Sequence, residues 1–146
     1  MEKCLYFLKM KKVSDKKGRR MVSVIQEKSL KGKPTSVKVG YRDIKLEWIK
    51  PDFKTDTLTD CFGWYLPREG KIQIQNSLDN QEEANTLLHE ILHAIAYGSG
   101  LNQAEGPLKD EHSEELVVNQ MTNYLMGAFR DNPWLLDYIK DNIDNS

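Results

Sequence analysis

The five residues from His89 to His93, with the sequence HEILH, constrain this chain more than any other feature. They lie in a segment whose apolar residues have helical spacing, and on a helix two side chains four residues apart lie one above the other on the same face. His89 and His93 can therefore bind one metal ion together, with Glu90 beside them. The segment predicts a metal-binding helix at the border between a hydrophobic core and a cleft.

The HExxH pattern is typical of zinc-dependent peptidases. In that interpretation zinc lowers the pKa of a bound water towards neutrality, and Glu90 takes the proton of this water as general base while a peptide bond is hydrolysed. The alternative interpretation is a core helix with two incidental histidines, because a chain with 3 histidines and many glutamates can carry so short a pattern by chance.

The 146 residues are enough for one domain with a hydrophobic core. No apolar run approaches the length that crosses a membrane, and residues 1–13 lack the apolar core and cleavage site of a signal peptide. Cys4 and Cys61 have no CxxC spacing, which favours two free thiols in a reducing compartment. We therefore expect a cytoplasmic monomer with no membrane partner.

Charge is distributed unevenly along the chain. Residues 1–39 carry a net charge of +9, and residues 40–146 carry −10. Such a basic arm could contact nucleic acid. The other interpretation is a lysine-rich pair of strands docked on its own acidic domain, and it is favoured because the aromatic and arginine-rich pattern that stacks on bases is absent.

Short β-branched runs predict strands at 5–10, 21–26, 36–39, 44–49, 62–66 and 71–75. The loop at 31–34 suggests a basic N-terminal β extension at 1–35 and a main domain at 36–146. In the run 71–75, Ile72 and Ile74 alternate with polar residues. This alternation suggests an amphipathic edge strand to which an extended substrate could add.

Three helices are predicted after the strands. The motif helix spans about 81–97, with Asn80 as N-cap in a capping box with Glu83. A second helix spans about 111–130, and a short third helix runs from Pro133 to Ile139. The apolar stripes are, in the first helix, Leu88, Ile91, Leu92 and Ile95, and in the second, Val117, Val118, Met121, Leu125 and Ala128. The expected fold is α+β: a small mixed or antiparallel sheet packed on the HExxH helix, followed by a long and a short helix.

A catalytic zinc has three protein ligands and one open position. Three residues after His93 are candidates for the third ligand: Glu115, Glu114 and His112. Ser99 stands where a metzincin would carry its third histidine. The acidic residues at 111, 114 and 115 also suit a helix N-terminus through the helix dipole alone. Two histidines and a carboxylate favour zinc, and with open positions they also suit iron(II).

HExxH followed about twenty residues later by a helix-borne glutamate resembles the gluzincin pattern. The stretch Glu115-Leu116-Val117-Val118-Asn119-Gln120-Met121 is similar to the E-x-x-A-N-x-F element of ImmA/IrrE-type peptidases, with Val118 where that element has a small residue. The resemblance implies Glu115 as metal ligand and Asn119 as support for a metal-bound histidine. His112 as ligand would instead resemble SprT-like peptidases, which use three histidines.

The run from Gly63 to Pro133 also resembles short HExxH metallopeptidases encoded by tailed phages, over about residues 36–139. The resemblance implies a zincin-like domain, the host cytoplasm and a peptide or protein substrate. The function expected is a zinc metalloendopeptidase of minimal gluzincin type, with Tyr97, Tyr124 or His112 as candidates for oxyanion stabilisation. The alternative is a non-catalytic zinc-binding virion, host-takeover or regulatory protein that contacts nucleic acid through its basic N-terminus.

Overall fold

The computed structural model describes residues 32–50 and 62–144. These residues form a four-stranded mixed sheet and three helices, which confirms the predicted α+β class. No helix among them has the length and apolar character needed to cross a membrane. The strands predicted at 5–10 and 21–26, both cysteines and most of the basic arm lie outside the described residues.

The strands lie close to the predicted positions: β1 is Ser36–Val39, β2 Arg42–Ile49, β3 Gly63–Leu66 and β4 Lys71–Gln75. Their order in the sheet is β1-β2-β4-β3, with β2 and β4 parallel and the other pairs antiparallel. Gly40 and Gly70 have φ of 60° and 62° in the turns that join β1 to β2 and β3 to β4. That left-handed conformation explains glycine at both positions.

The prediction that residues 71–75 form an edge strand is wrong. β4 pairs with β2 on one side and with β3 on the other, so β1 and β3 are the edges of the sheet that the described residues form. Ile72 and Ile74 are fully buried, while Gln73 donates a hydrogen bond to Glu47 on the other face. Alternation along a strand reports which face of a sheet is covered, and it gives no information on the position of the strand within the sheet.

The helices are α1 Asn80–Ser99, α2 Glu111–Asp131 and α3 Leu135–Asp144. The predicted N-cap of α1 was one residue late: Asp79 caps the helix, and its carboxylate accepts a hydrogen bond of 2.8 Å from the backbone N–H of Glu82. Gly100 ends α1 in the left-handed conformation, whereas Gly98 lies inside the helix. α3 begins after Pro133 and extends beyond the predicted end at Ile139.

The fold has three layers. α1 packs on one face of the sheet, and α2 packs on the other side of α1. The buried core lies between the sheet and α1 and consists of Ile44, Leu46, Tyr65, Ile72, Ile74, Leu78 and Ala94. The predicted helical stripes are correct only in part, since Ile95 and Met121 are 43% and 48% exposed. Thr86 and Ala94 occupy the buried face of α1 instead.

Residues before β1 pack on the main domain. The carbonyl of Thr35 accepts a hydrogen bond from Leu46, and the carbonyl of Pro34 accepts one from the indole of Trp48. The ammonium of Lys33 lies 4.1 Å from the centre of the Trp48 ring and pairs with Glu83 near the start of α1. The chain is therefore fixed to the sheet and to α1 from residue 33 onwards.

Candidate metal centre

α1 places both motif histidines in one small space. His89 is fully buried and His93 is half-buried, and their rings meet edge to face with centroids 4.7 Å apart. The two Nε2 atoms are 3.0 Å apart. This is the arrangement expected for residues four apart on a helix, whose side chains lean in the same direction.

The third donor comes from Glu115, one turn into α2. Its carboxylate oxygens lie 3.5 Å from Nε2 of His89 and 3.2 Å from Nε2 of His93. Donor atoms of the three residues all lie within 4.8 Å of one another, so the group is close enough to bind a metal ion. Two nitrogen or oxygen ligands of a tetrahedral zinc lie about 3.4 Å apart, given bond lengths of about 2.0–2.1 Å. The observed separations fit that value.

Glu114 contacts the other side of the His93 ring. Its Oε1 lies 2.8 Å from Nδ1 of His93, the nitrogen that faces away from His89. The side-chain amide of Asn102, from the loop between α1 and α2, donates to both oxygens of Glu114 at 3.1 and 3.2 Å. We call the two Nε2 atoms, which face each other, the inner nitrogens, and Nδ1 of His93 an outer nitrogen. Glu115 therefore faces the inner nitrogens, and Glu114 is hydrogen-bonded to the outer nitrogen of His93.

The other predicted site residues lie in different places. The resemblance implies that Asn119 supports a histidine, but its amide donates to Oε1 of Glu115 at 2.9 Å. His112 is exposed and is not part of the metal-binding group found in the described residues. Among the candidates for oxyanion stabilisation, Tyr97 lines the cleft beside His93, whereas Tyr124 is 78% exposed on α2.

The two histidines have opposite protonation behaviour. Burial, together with the charge on His93, lowers the pKa of His89 to about 4. Burial acts in the same direction on His93, but hydrogen bonds to Glu115 and Glu114 outweigh it and raise the pKa of His93 to about 9. Near neutral pH His89 is therefore neutral and His93 is protonated, so the pair carries one positive charge. A metal ion that binds both Nε2 atoms must displace a proton from this ring.

Glu90 lies on the side of α1 that faces the sheet and is 2% exposed. Burial raises the pKa of its carboxyl to about 7, although His93 and a backbone hydrogen bond from Tyr65 act in the opposite direction. A general base works best when its pKa is near the working pH. The burial of Glu90 thus gives it a proton affinity suited to accepting and returning a proton at neutral pH.

A cleft of about 310 Å³ opens onto this group. One wall is aromatic and comes from β3, the turn after it and the end of α1; the other comes from the loop after α1 and the start of α2. The lining residues are Trp64, Tyr65, Pro67, Tyr97, Asn102, Gln103, Lys109 and Glu111, together with Glu90, His93, Glu114 and Glu115. A chain or side chain in this cleft would lie directly beside the metal-binding group.

Sequence reasoning did not find two features of the site. Asn102 lies in a loop without helical or strand periodicity, so no local pattern marks it. Gly63 faces α1 at the start of β3, where an added Cβ would lie 2.7 Å from Thr86 and 3.4 Å from Cγ of Glu90. An isolated glycine in a strand often marks such a close approach, and this signal was available in the sequence.

Comparisons with protein-family models, with curated proteins and with solved structures found no match to this chain.

Proposed function

We propose that this protein is a zinc-dependent peptidase in which His89, His93 and Glu115 hold the metal and Glu90 is the general base. The observation that carries the proposal is that Nε2 of His89 and Nε2 of His93, 3.0 Å apart, each face an oxygen of Glu115, at 3.5 and 3.2 Å. This group lies beside the buried carboxyl of Glu90, whose pKa is raised to about 7. An ion pair with protonated His93 accounts for one oxygen of Glu115, but the other oxygen also faces Nε2 of His89, at 3.5 Å, as a metal ion shared by all three residues would require.

The donor set suits zinc, which takes histidine nitrogen and carboxylate oxygen and keeps an open position in catalytic sites. When bound, the ion would supply an acidified water and would polarise a substrate carbonyl. Glu90 would take the proton and later deliver it to the leaving amine. The order of ligands along the chain, two histidines on one helix and a glutamate on the next, supports the minimal gluzincin type and a zincin-like domain.

Peptide binding is supported by the position of β3. Among the described strands β3 is a sheet edge, and Trp64 and Tyr65 line the cleft next to Glu90. An extended peptide can add to such an edge through main-chain hydrogen bonds. We therefore place the substrate along β3 and not along β4, which lies inside the sheet.

The first test is metal content and hydrolysis by the full chain, purified without chelator or nickel. We expect about one zinc per chain and cleavage of members of a fluorogenic peptide library. Glu90→Gln should lower the rate by about 10²–10⁴-fold while zinc binding changes little, because general-base catalysis contributes on this scale. The matched control is Glu111→Gln, which removes a carboxylate from the same cleft without touching the metal-binding group.

Three outcomes separate the interpretations. Zinc uptake with loss of cleavage only in Glu90→Gln supports the peptidase. Zinc uptake with equal cleavage in Glu90→Gln and the unmodified chain contradicts the role of Glu90. Zinc uptake without cleavage of any peptide favours the non-catalytic alternative, in which zinc has a structural role.

A further inference from the structure

We propose that Glu114 is the positioning residue for His93, and that Asn102 makes the loop between α1 and α2 part of the metal site. The inference rests on the proposed metal site. It concerns two residues that would not touch the ion but would determine how tightly the chain holds it.

An imidazole binds a cation through one nitrogen, and the hydrogen bond of the other nitrogen fixes the tautomer and the orientation of the ring. Nε2 of His93 faces His89 and Glu115, while Nδ1 lies 2.8 Å from Glu114. A carboxylate can only accept a hydrogen bond, so it keeps the hydrogen on Nδ1. Glu114 therefore leaves the lone pair of Nε2 directed towards the metal position.

Asn102 holds Glu114 in the orientation that this role requires. Its amide nitrogen contacts both carboxylate oxygens, and its own carbonyl accepts a hydrogen bond of 3.0 Å from Gln103. The hydrogen bond from Gln103 fixes the carbonyl of Asn102 and thereby orients the amide so that its nitrogen faces Glu114. A glutamate side chain has several rotatable bonds, and fixing it in advance removes an entropic cost from metal binding.

The loop that carries Asn102 has a defined shape. Gly100 starts it with φ of 80°, and the N–H of Leu108 donates to the carbonyl of Leu101 at 2.8 Å, which closes the loop. Gly106 lies against the same segment, where an added Cβ would lie 2.1 Å from the carbonyl oxygen of Leu101. The backbone therefore delivers Asn102 to Glu114 from a fixed direction.

The experiment measures the zinc dissociation constant of the full chain by competition with a chromophoric chelator. Glu114→Ala should weaken zinc binding by about 10–100-fold, the range typical of residues that orient a metal ligand. Asn102→Ala should weaken it in the same direction and by less, because Glu114 remains. Glu111→Gln is the matched control for loss of a cleft carboxylate, and its zinc affinity should equal that of the unmodified chain.

An exchange of donor and acceptor tests the role more sharply. Asn102→Asp alone places two carboxylates against each other and should weaken zinc binding. Adding Glu114→Gln restores one donor and one acceptor, and the new amide still offers its carbonyl to Nδ1 of His93. The double variant should therefore bind zinc more tightly than Asn102→Asp alone. The unfolding temperatures of the metal-free variants are measured as a control for stability. If Asn102 and Glu114 only maintained the fold, zinc affinity would not recover in the double variant when its unfolding temperature equals that of Asn102→Asp.

The outcomes distinguish this inference from the proposed function. If the unmodified chain takes up no zinc, the proposed function fails and this inference fails with it. If the unmodified chain binds zinc and Glu114→Ala matches Glu111→Gln, only the inference is overturned. It is also overturned if the double variant shows no recovery, or if Glu114→Ala abolishes binding while Glu115→Ala retains it, since Glu114 would then be the ligand.

Discussion

Nε2 of His89 and Nε2 of His93 lie 3.0 Å apart, and near neutral pH the two rings together carry one positive charge. The opposite pKa shifts of the two rings place this charge on His93, whose Nδ1 donates a hydrogen bond to Glu114. A metal ion held by both Nε2 atoms would require that neither of them carries a proton. Metal binding and proton release at this site are therefore one exchange reaction.

The first prediction is that zinc uptake releases a proton and strengthens with pH. The pKa of His93 is raised to about 9 in the folded chain, so near neutral pH zinc must displace its proton. Apparent affinity should rise about tenfold for each pH unit below the pKa and level off above it. Calorimetry in buffers of different ionisation enthalpy measures the released protons.

The same shift affects the stability of the metal-free chain. Because the folded pKa of His93 lies above the value of about 6.5 in unfolded chains, its contribution to stability is present below that pH and is lost as the pH rises through about 9. Uptake of zinc without proton release near neutral pH would contradict both statements. Glu111→Gln should release as many protons as the unmodified chain, because Glu111 is not part of the metal-binding group found in the described residues.

The second prediction concerns Asn119, whose amide donates to Oε1 of Glu115 at 2.9 Å. Asn119→Ala removes the hydrogen bond that fixes the carboxylate of Glu115, the proposed metal ligand, and we expect zinc affinity to fall by about tenfold. The control is Asn123→Ala, one turn later on α2 and exposed to solvent. Equal zinc dissociation constants for the two variants would show that the hydrogen bond to Glu115 has no part in metal binding.

The third prediction concerns the contact between β3 and α1. In Gly63→Ala the new methyl group would lie 2.7 Å from Cγ2 of Thr86 and 2.9 Å from the carbonyl oxygen of Gln73. Forcing these groups apart should lower the free energy of unfolding by about 1–3 kcal/mol, as overpacking does in other cores. Because Glu90 is also within reach of the methyl group, at 3.4 Å, peptide cleavage should fall as well.

The matched control is Gly98→Ala, on the exposed side of α1 with no atom near the added Cβ. It should raise the free energy of unfolding by about 0.5–1 kcal/mol, because alanine restricts the unfolded chain and favours helix. Urea denaturation measures both variants. If Gly63→Ala proved as stable as Gly98→Ala, the close packing of β3 on α1 would be refuted.

Much of the fold could be predicted because its signals are local. The alternation in residues 71–75 correctly predicted the first and last residues of β4, and the spacing of apolar residues predicted the ends of α1 and α2 to within a few residues. The sheet order could not be predicted in this way. Whether β4 lies inside the sheet depends on its parallel pairing with β2, which joins residues far apart in the chain.

The sequence by itself determined how His89, Glu90 and His93 lie relative to one another, because their spacing along one helix fixes their relative positions. Only the tertiary structure decided which side chain of α2 completes the group. Val118 and Thr122 are buried, and the side of α2 that they define turns Glu115 towards the inner nitrogens and Glu114 towards an outer one. The orientation of α2 relative to α1 is set by the side chains that pack between the two helices, so it cannot be predicted from the residue pattern of either helix alone.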